Sequence, residues 1–262
     1  MKIWQKLQIL LTLSFVALAF GVVPALACAR TEQLNIFVAA SLVDVMGEIG
    51  DEFGAQINCV DIRIIPGASS VLSRQINSGA PADIFISADR FNGDLVGDEF
   101  DILPAAMFGN RLVIIASENF NGNFEIEQLA DFLDTGNSGA GRLAIGDPAH
   151  VPAGIYAKEA LQAAGVWELV KDRLAPAGDV RAAVAFVVNG AAPFGIVYLS
   201  DAGFEGIKIV SEINDVLHEP IKYWGLLLND ENNSAAAFFN FIGSKFAQNV
   251  FIEAGFTPII SD

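Results

Sequence analysis

A unit recurs along this chain: a short continuous apolar run, a tight turn of small residues, then an amphipathic stretch of helical period. Leu34–Ala39 is the first such run, followed by Ser41 and a helical pattern through Val43, Met46, Ile49 and Phe53. Val60–Ile65 is the second; Pro66-Gly67-Ala68-Ser69-Ser70 turns it into a helix through Val71, Leu72 and Ile76 that stops near Gly79, and Ile84–Ser87 is another strand. Apolar runs without alternation, interleaved with amphipathic helices, predict an α/β fold of parallel sheets covered on both faces.

A second set follows. Leu112–Ala116 and Leu143–Gly146 read as strands, Ala153–Ala164 as a helix, and Asp179 can cap a helix through Val180, Val184 and Val187. Gly195–Tyr198, Lys208–Val210 and Tyr223–Leu228 read as strands, with helices over Ala235–Ile242 and Ser244–Ala254. Two sets of about a hundred residues each predict two lobes, residues 28–111 plus 224–262 and residues 112–223, each a mainly parallel sheet flanked by helices. No Pro/Gly/Ser-rich linker separates them, so strands crossing between lobes should join them. Ligands of such folds bind beyond the carboxyl ends of strands, at helix N-termini.

Composition narrows the partners. The chain has 262 residues, 53% hydrophobic and 18% charged, with 20 Phe and a formal net charge of −16. That is enough apolar surface to offset chain entropy, which excludes disorder. With 15 Lys+Arg against 31 Asp+Glu no broad cationic footprint can form, which argues against nucleic acid.

The first residues carry an export signal: Lys2 and Lys6, an apolar run from Ile9 to Val23, Pro24, then Ala25-Leu26-Ala27. Small residues at −3 and −1 place cleavage after Ala27, so residues 1–27 are the signal peptide and the mature protein is periplasmic. Removal takes two Lys and no acid, moving the charge from −16 to −18. There are two cysteines, Cys28 and Cys59. Cys28 would become the N-terminus, where lipid attachment is one reading, although Ala25-Leu26-Ala27-Cys28 is a loose lipobox. The reading favoured is a Cys28–Cys59 disulfide, because each cysteine shortly precedes a strand and parallel neighbours begin on one edge.

Catalytic chemistry has few candidates. His150 and His218 are the only histidines, and no Gly-x-Ser-x-Gly, Gly-x-Gly-x-x-Gly or P-loop occurs. Asp147 and His150 could be read as metal ligands, but one His and one Asp make a poor cluster and an ordinary polar loop is expected. Asp83 and Asp89 flank Ile84–Ser87 as caps and turn formers. The sequence predicts neither an enzyme nor a bound cofactor.

The strand-to-helix turns say more. Ser41 and Ser69 each sit where a helix begins, beside N–H groups with no intrahelical partner. A serine there ordinarily caps its own helix. The functional alternative is an anion site made of free N–H donors, a hydroxyl and the positive helix end. Pro152-Ala153-Gly154 and Asp179-Val180 place further N–H groups at helix starts, and Tyr198 ends a strand where its phenol can enter the same crevice.

These residues lie in recognisable surroundings. Phe37-Val-Ala-Ala-Ser-Leu42, Gly79-Ala-Pro-Ala-Asp-Ile-Phe-Ile-Ser-Ala-Asp89, the stretch from Arg142 through Gly146-Asp-Pro-Ala-His-Val-Pro-Ala-Gly154 to Leu161, and Gly195-Ile-Val-Tyr-Leu-Ser-Asp201 closely resemble the periplasmic molybdate-binding proteins of ABC importers. The resemblance runs from about Leu34 to Pro258. It implies a two-lobed type II solute-binding protein, acting as a monomer, that closes over molybdate or tungstate and delivers it to a membrane permease. By motif it implies that Ser41 and Ser69 donate hydroxyl and backbone N–H, that Ala153 and Val180 donate backbone N–H, and that Tyr198 donates its phenolic O–H. Ser70 is the alternative to Ser69. The molybdenum would be held as its oxyanion, with no residue acting as a direct metal ligand. Such a donor-only set suits a proton-free dianion and selects against phosphate, which retains a proton. Sulfate meets the same donor rule, so another tetrahedral oxyanion is the alternative ligand.

Overall fold

The computed structural model describes residues 31–57, 59–134 and 141–259. The proposed signal and Cys28 lie outside them. In chain order the elements are β1 (Glu32–Ala39), α1 (Val43–Gln56), β2 (Val60–Gly67), α2 (Ser69–Asn77), β3 (Ile84–Ser87), α3 (Arg90–Phe100), β4 (Ala105–Gly109) and β5 (Leu112–Ser117). Then come α4 (Leu129–Asp134), β6 (Leu143–Gly146), α5 (Pro152–Ala163), α6 (Trp167–Val170), β7 (Leu174–Ala177), α7 (Val180–Val188), β8 (Phe194–Tyr198) and β9 (Ile207–Glu212). The chain closes with β10 (Lys222–Leu227), α8 (Asn233–Phe241), α9 (Lys245–Glu253) and β11 (Thr257–Pro258).

The strands form two sheets, ordered β11-β4-β10-β3-β1-β2 and β7-β6-β8-β5-β9. Both are mixed, which corrects the expectation of mainly parallel sheets. Parallel pairing holds β1 to β2 and β3, and β6 to β7 and β8. The contacts of β10 with β3 and β4, of β11 with β4, and of β5 with β8 and β9 are antiparallel. The parallel trios are the βα units, where a helix covers the return. Antiparallel strands attach where the chain passes from one sheet to the other.

Two segments make that passage. Asn110 and Arg111 lead from β4 into β5, and residues 213–221 lead from β9 back to β10. They touch, with Asn110 N–H donating to the Ile221 carbonyl at 3.4 Å. Strand β10 begins at Lys222, so the first sheet takes back the chain two residues before 224.

Buried strand residues such as Ile36, Val38, Ile84 and Ile86 pack under Met46 and Ile49 of α1 in the first sheet. In the second, Ile114, Leu143 and Ile196 meet Val184 of α7, and Phe120, Phe124, Phe132 and Phe194 form an aromatic cluster. Glycines follow two helix ends: Gly79 after α2 and Gly190 after α7 take left-handed φ of 94° and 72°, a conformation that other L-residues adopt at a cost.

Cys59 is disulfide-bonded. It precedes β2 directly, and its carbonyl accepts from Glu32 N–H of β1 at 2.8 Å. No helix of the described residues is long and apolar enough to cross a membrane.

Candidate anion-binding site

Both sheets aim strand ends at one small cavity. β1 delivers Ser41, β2 delivers Ser69, β6 delivers Ala153 through the loop before α5, β7 delivers Asp179 and Val180, and β8 ends on Tyr198; all of these line it. Its volume is about 10 Å³, far below the ~300–1,000 Å³ typical of sites for larger organic ligands. The structure therefore brings together all five residues singled out in the sequence.

Neither serine caps its helix. No side chain closes the N-terminus of the short turn Ala40–Leu42, of α1, of α2 or of α5. The first N–H groups of those helices are left without side-chain partners beside a buried cavity, the arrangement that favours an anion. Of the helices that start at the cavity only α7 is capped by a side chain: Asp179 Oδ1 accepts from Ala182 N–H at 2.9 Å. Asp179 thus lines the wall with that oxygen already engaged.

The hydroxyls are instead held from behind. Ser69 Oγ accepts from Ala88 N–H at 2.9 Å, which leaves its proton to be donated. Ser41 Oγ lies 2.7 Å from the Tyr223 phenol oxygen. The alternative Ser70 does not line the cavity; its Oγ pairs with His150 Nδ1 at 3.0 Å. His150 also lies 3.8 Å from Asp147, whose Oδ1 accepts from Ala149 N–H at 2.9 Å. That loop has the internal bonding of a polar turn, and no cluster suited to a metal ion occurs among the described residues.

Tyr198 completes the wall. It is 1% exposed, and its phenol oxygen has no hydrogen-bond partner among the described residues. Burial pushes its pKa well above 10, and the nearby Tyr223, Tyr156, Asp89 and Asp201 add to the effect. The phenol stays protonated, a neutral donor waiting for an acceptor.

The approach of α5 depends on backbone contact. A Cβ on Gly154 would fall 1.9 Å from the Gly146 carbonyl oxygen, so only glycine lets the N-terminus of α5 sit so close to the end of β6.

A cation also stands next to this neutral set, and sequence reasoning missed it. Arg181, directly after Val180, ion-pairs with fully buried Asp201 through Nε. Its Nη1 reaches Asp44 of α1 at 2.8 Å and its Nη2 donates to the Ser41 carbonyl at 3.4 Å. It thereby ties α7 of the second sheet to the start of α1 in the first. Burial raises the Asp201 carboxyl to about 7, while Arg181 pulls it down. The available signal was a buried-looking Asp at the end of Tyr-Leu-Ser-Asp201, which in an apolar strand end requires a cation.

Asp83 and Asp89 are structural. Asp89 caps α3 by accepting from Asn92 N–H at 2.6 Å, and Asp83 accepts from Asn35 N–H of β1 at 2.7 Å.

Comparison with known proteins agrees with this geometry. The sequence pattern of the bacterial extracellular solute-binding protein family matches residues 34–257. The molybdate-binding protein ModA of Escherichia coli is 40% identical over 247 residues, 92% of this chain and 95% of that protein. Its counterpart in Haemophilus influenzae is 33% identical over 87% of this chain and 91% of that protein. The fold matches the periplasmic molybdate-binding protein of Azotobacter vinelandii with a TM-score of 0.74 at 21% identity, covering 87% of this chain and all of that one.

Proposed function

The chain belongs to the bacterial extracellular solute-binding protein family, and on that premise we propose that it captures molybdate in the cavity between its two sheets and hands it to the permease of an ABC importer. The observation that carries the reading is the donor set. Ser41, Ser69 and Tyr198 offer hydroxyls; Ser41, Ser69, Ala153 and Val180 offer backbone N–H groups; Tyr198 has no acceptor among the described residues. Molybdate, a dianion without a proton, can accept from every one. A protonated anion would present its own O–H to this set, and an unmatched buried donor costs about 1–3 kcal/mol. Neutral donors also avoid placing Lys or Arg in the ligand's contact shell, where desolvation would offset much of the attraction. Tungstate has the same charge and proton count and binds equally. Sulfate satisfies the donor rule too; likeness to relatives named as molybdate-binding supports molybdate for this chain.

In this reading the protein binds without catalysis, as a monomer, in the periplasm after loss of residues 1–27. Each sheet with its helices moves as one lobe about the paired crossings, Asn110–Arg111 and residues 213–221. The same reading pairs Cys28 with Cys59, the other cysteine of the chain, and leaves the Cys28 thiol without a lipid.

Thermal unfolding with equal concentrations of molybdate, tungstate, sulfate and phosphate tests this. A ligand at about 100 times its Kd stabilises the folded state by about 2.7 kcal/mol. Molybdate and tungstate should raise the Tm by several degrees, and phosphate should not. A phosphate shift equal to the molybdate shift would overturn the reading.

A further inference from the structure

The donor character of Ser41 is set by residues that never reach the cavity. Asn110, in the crossing between the sheets, is 5% exposed. Its Oδ1 accepts from Arg111 N–H at 2.9 Å, which fixes the amide orientation. Nδ2 must then face Ser200 Oγ at 2.9 Å and the Tyr223 phenol oxygen at 3.3 Å. Tyr223 is fully buried and has one other hydrogen-bond partner given by the structure, Ser41 Oγ at 2.7 Å. Because an amide N–H can only donate, the phenol oxygen accepts from Asn110 and its own proton is directed to Ser41. The opposite order would leave the Tyr223 proton buried and unpaired. Ser41 Oγ is thereby supplied with a donor, and its proton is left for the cavity.

We propose that Asn110 and Tyr223 are positioning residues for anion selectivity: a one-way chain, Asn110 N–H to Tyr223 oxygen, Tyr223 O–H to Ser41 oxygen, that locks Ser41 as a donor and so excludes oxyanions that carry a proton. The inference rests on Ser41 being a ligand. Each bond in such a chain polarises the next, which strengthens the final O–H as a donor.

Asn110→Asp tests it, because this near-isosteric change reverses the chain. The new carboxylate keeps the Arg111 N–H bond and accepts from Ser200 and Tyr223, so those donors favour its ionised form. Tyr223 oxygen then accepts from Ser41, and Ser41 oxygen accepts from the ligand's proton. Affinities for molybdate and phosphate are measured by titration calorimetry at mildly alkaline pH, where both are dianions and phosphate retains one proton. The added charge weakens both alike, so the ratio reads donor direction alone. The molybdate-to-phosphate ratio should fall by roughly tenfold or more, whereas in a Tyr223→Phe background, where Ser41 is already unlocked, adding Asn110→Asp should change the ratio no further. An unchanged ratio in Asn110→Asp overturns the chain, as does an equal further fall when Asn110→Asp is added to Tyr223→Phe. Ser41→Ala separates the two ideas: molybdate affinity unaffected by it removes the site reading itself, whereas weakened affinity with an unchanged Asn110→Asp ratio removes only the chain. If Asn110→Asp does not fold, a neutron structure of the deuterated wild type decides. Deuterium on Tyr223 directed at Ser41 is expected, and deuterium on Ser41 directed at Tyr223 overturns the proposal.

Discussion

Tyr198→Phe should separate binding from folding. The phenol oxygen is buried and bonded to nothing among the described residues, so its removal takes away no protein hydrogen bond. The ring remains to fill its place beside Tyr223, 6.1 Å away between centroids. The unliganded Tm should therefore stay within about 2 °C of wild type, since about 1 kcal/mol corresponds to about 2–4 °C at this size. The bound state is different, because there the phenol donates to a dianion. Hydrogen bonds to charged groups contribute about 1.5–3 kcal/mol, so the molybdate Kd should rise about 10- to 150-fold. Titration calorimetry reads the affinity and differential scanning calorimetry the stability. The control is Tyr223→Phe, which loses the bonds to both Ser41 and Asn110 and should lower the unliganded Tm. An unchanged Kd for Tyr198→Phe would refute the reasoning, and so would a drop in its unliganded Tm as large as that of Tyr223→Phe.

Other expectations follow from single contacts. Gly154→Ala drives a Cβ to 1.9 Å from the Gly146 oxygen; α5 must retreat from β6, costing about 1–3 kcal/mol, and calorimetry should show both a lower Tm and lost molybdate binding. Asp44→Asn removes one of the two contacts by which Arg181 crosses between sheets, leaving that to the Ser41 carbonyl; the pair is partly exposed, so the Kd should rise by no more than about fivefold and the effect should shrink in high salt. Burial lifts Asp201 from 3.8 to about 7, so folding favours its protonated form; this stability is full below about pH 4 and is lost as pH rises through 7. The Tm of wild type should accordingly fall relative to Asp201→Asn between those limits, and a constant difference across that range would contradict the assignment. Reducing the Cys59 disulfide should lower the Tm by several degrees, because a closed loop of about thirty residues is worth roughly 3–4 kcal/mol.

Much of this architecture was legible because short continuous apolar runs bounded by turn residues read as covered strands, and because small residues after them announce tight turns. β1, β3, β5, β6 and β8 were read within a residue or two of their observed ends. β4 and β7 were not: Ala-Ala-Met-Phe-Gly has no β-branched residue, and Leu-Ala-Pro-Ala carries a proline that only an edge strand accommodates, where β7 indeed lies. α3 was hidden by Gly93 and Gly97, which weaken helix propensity yet bring the helix against Pro104, with Gly93 also meeting Trp224. Strand direction was not legible, since a run of apolar residues looks the same in parallel and antiparallel company. The lining of the cavity could be read from helix starts and motif likeness. The groups behind it could not: Asn110 and Tyr223 are 113 residues apart, and Tyr223 is 182 from Ser41, separations that no local pattern spans.

The most direct measurement is an anomalous-diffraction map from crystals grown with molybdate, recorded at the molybdenum absorption edge. A single strong peak should lie in the cavity, with its oxygens about 2.7–3.2 Å from Ser41, Ser69, Ala153, Val180 and Tyr198. A peak elsewhere, or one whose oxygens rest against a carboxylate or an arginine instead of these neutral donors, would contradict the account.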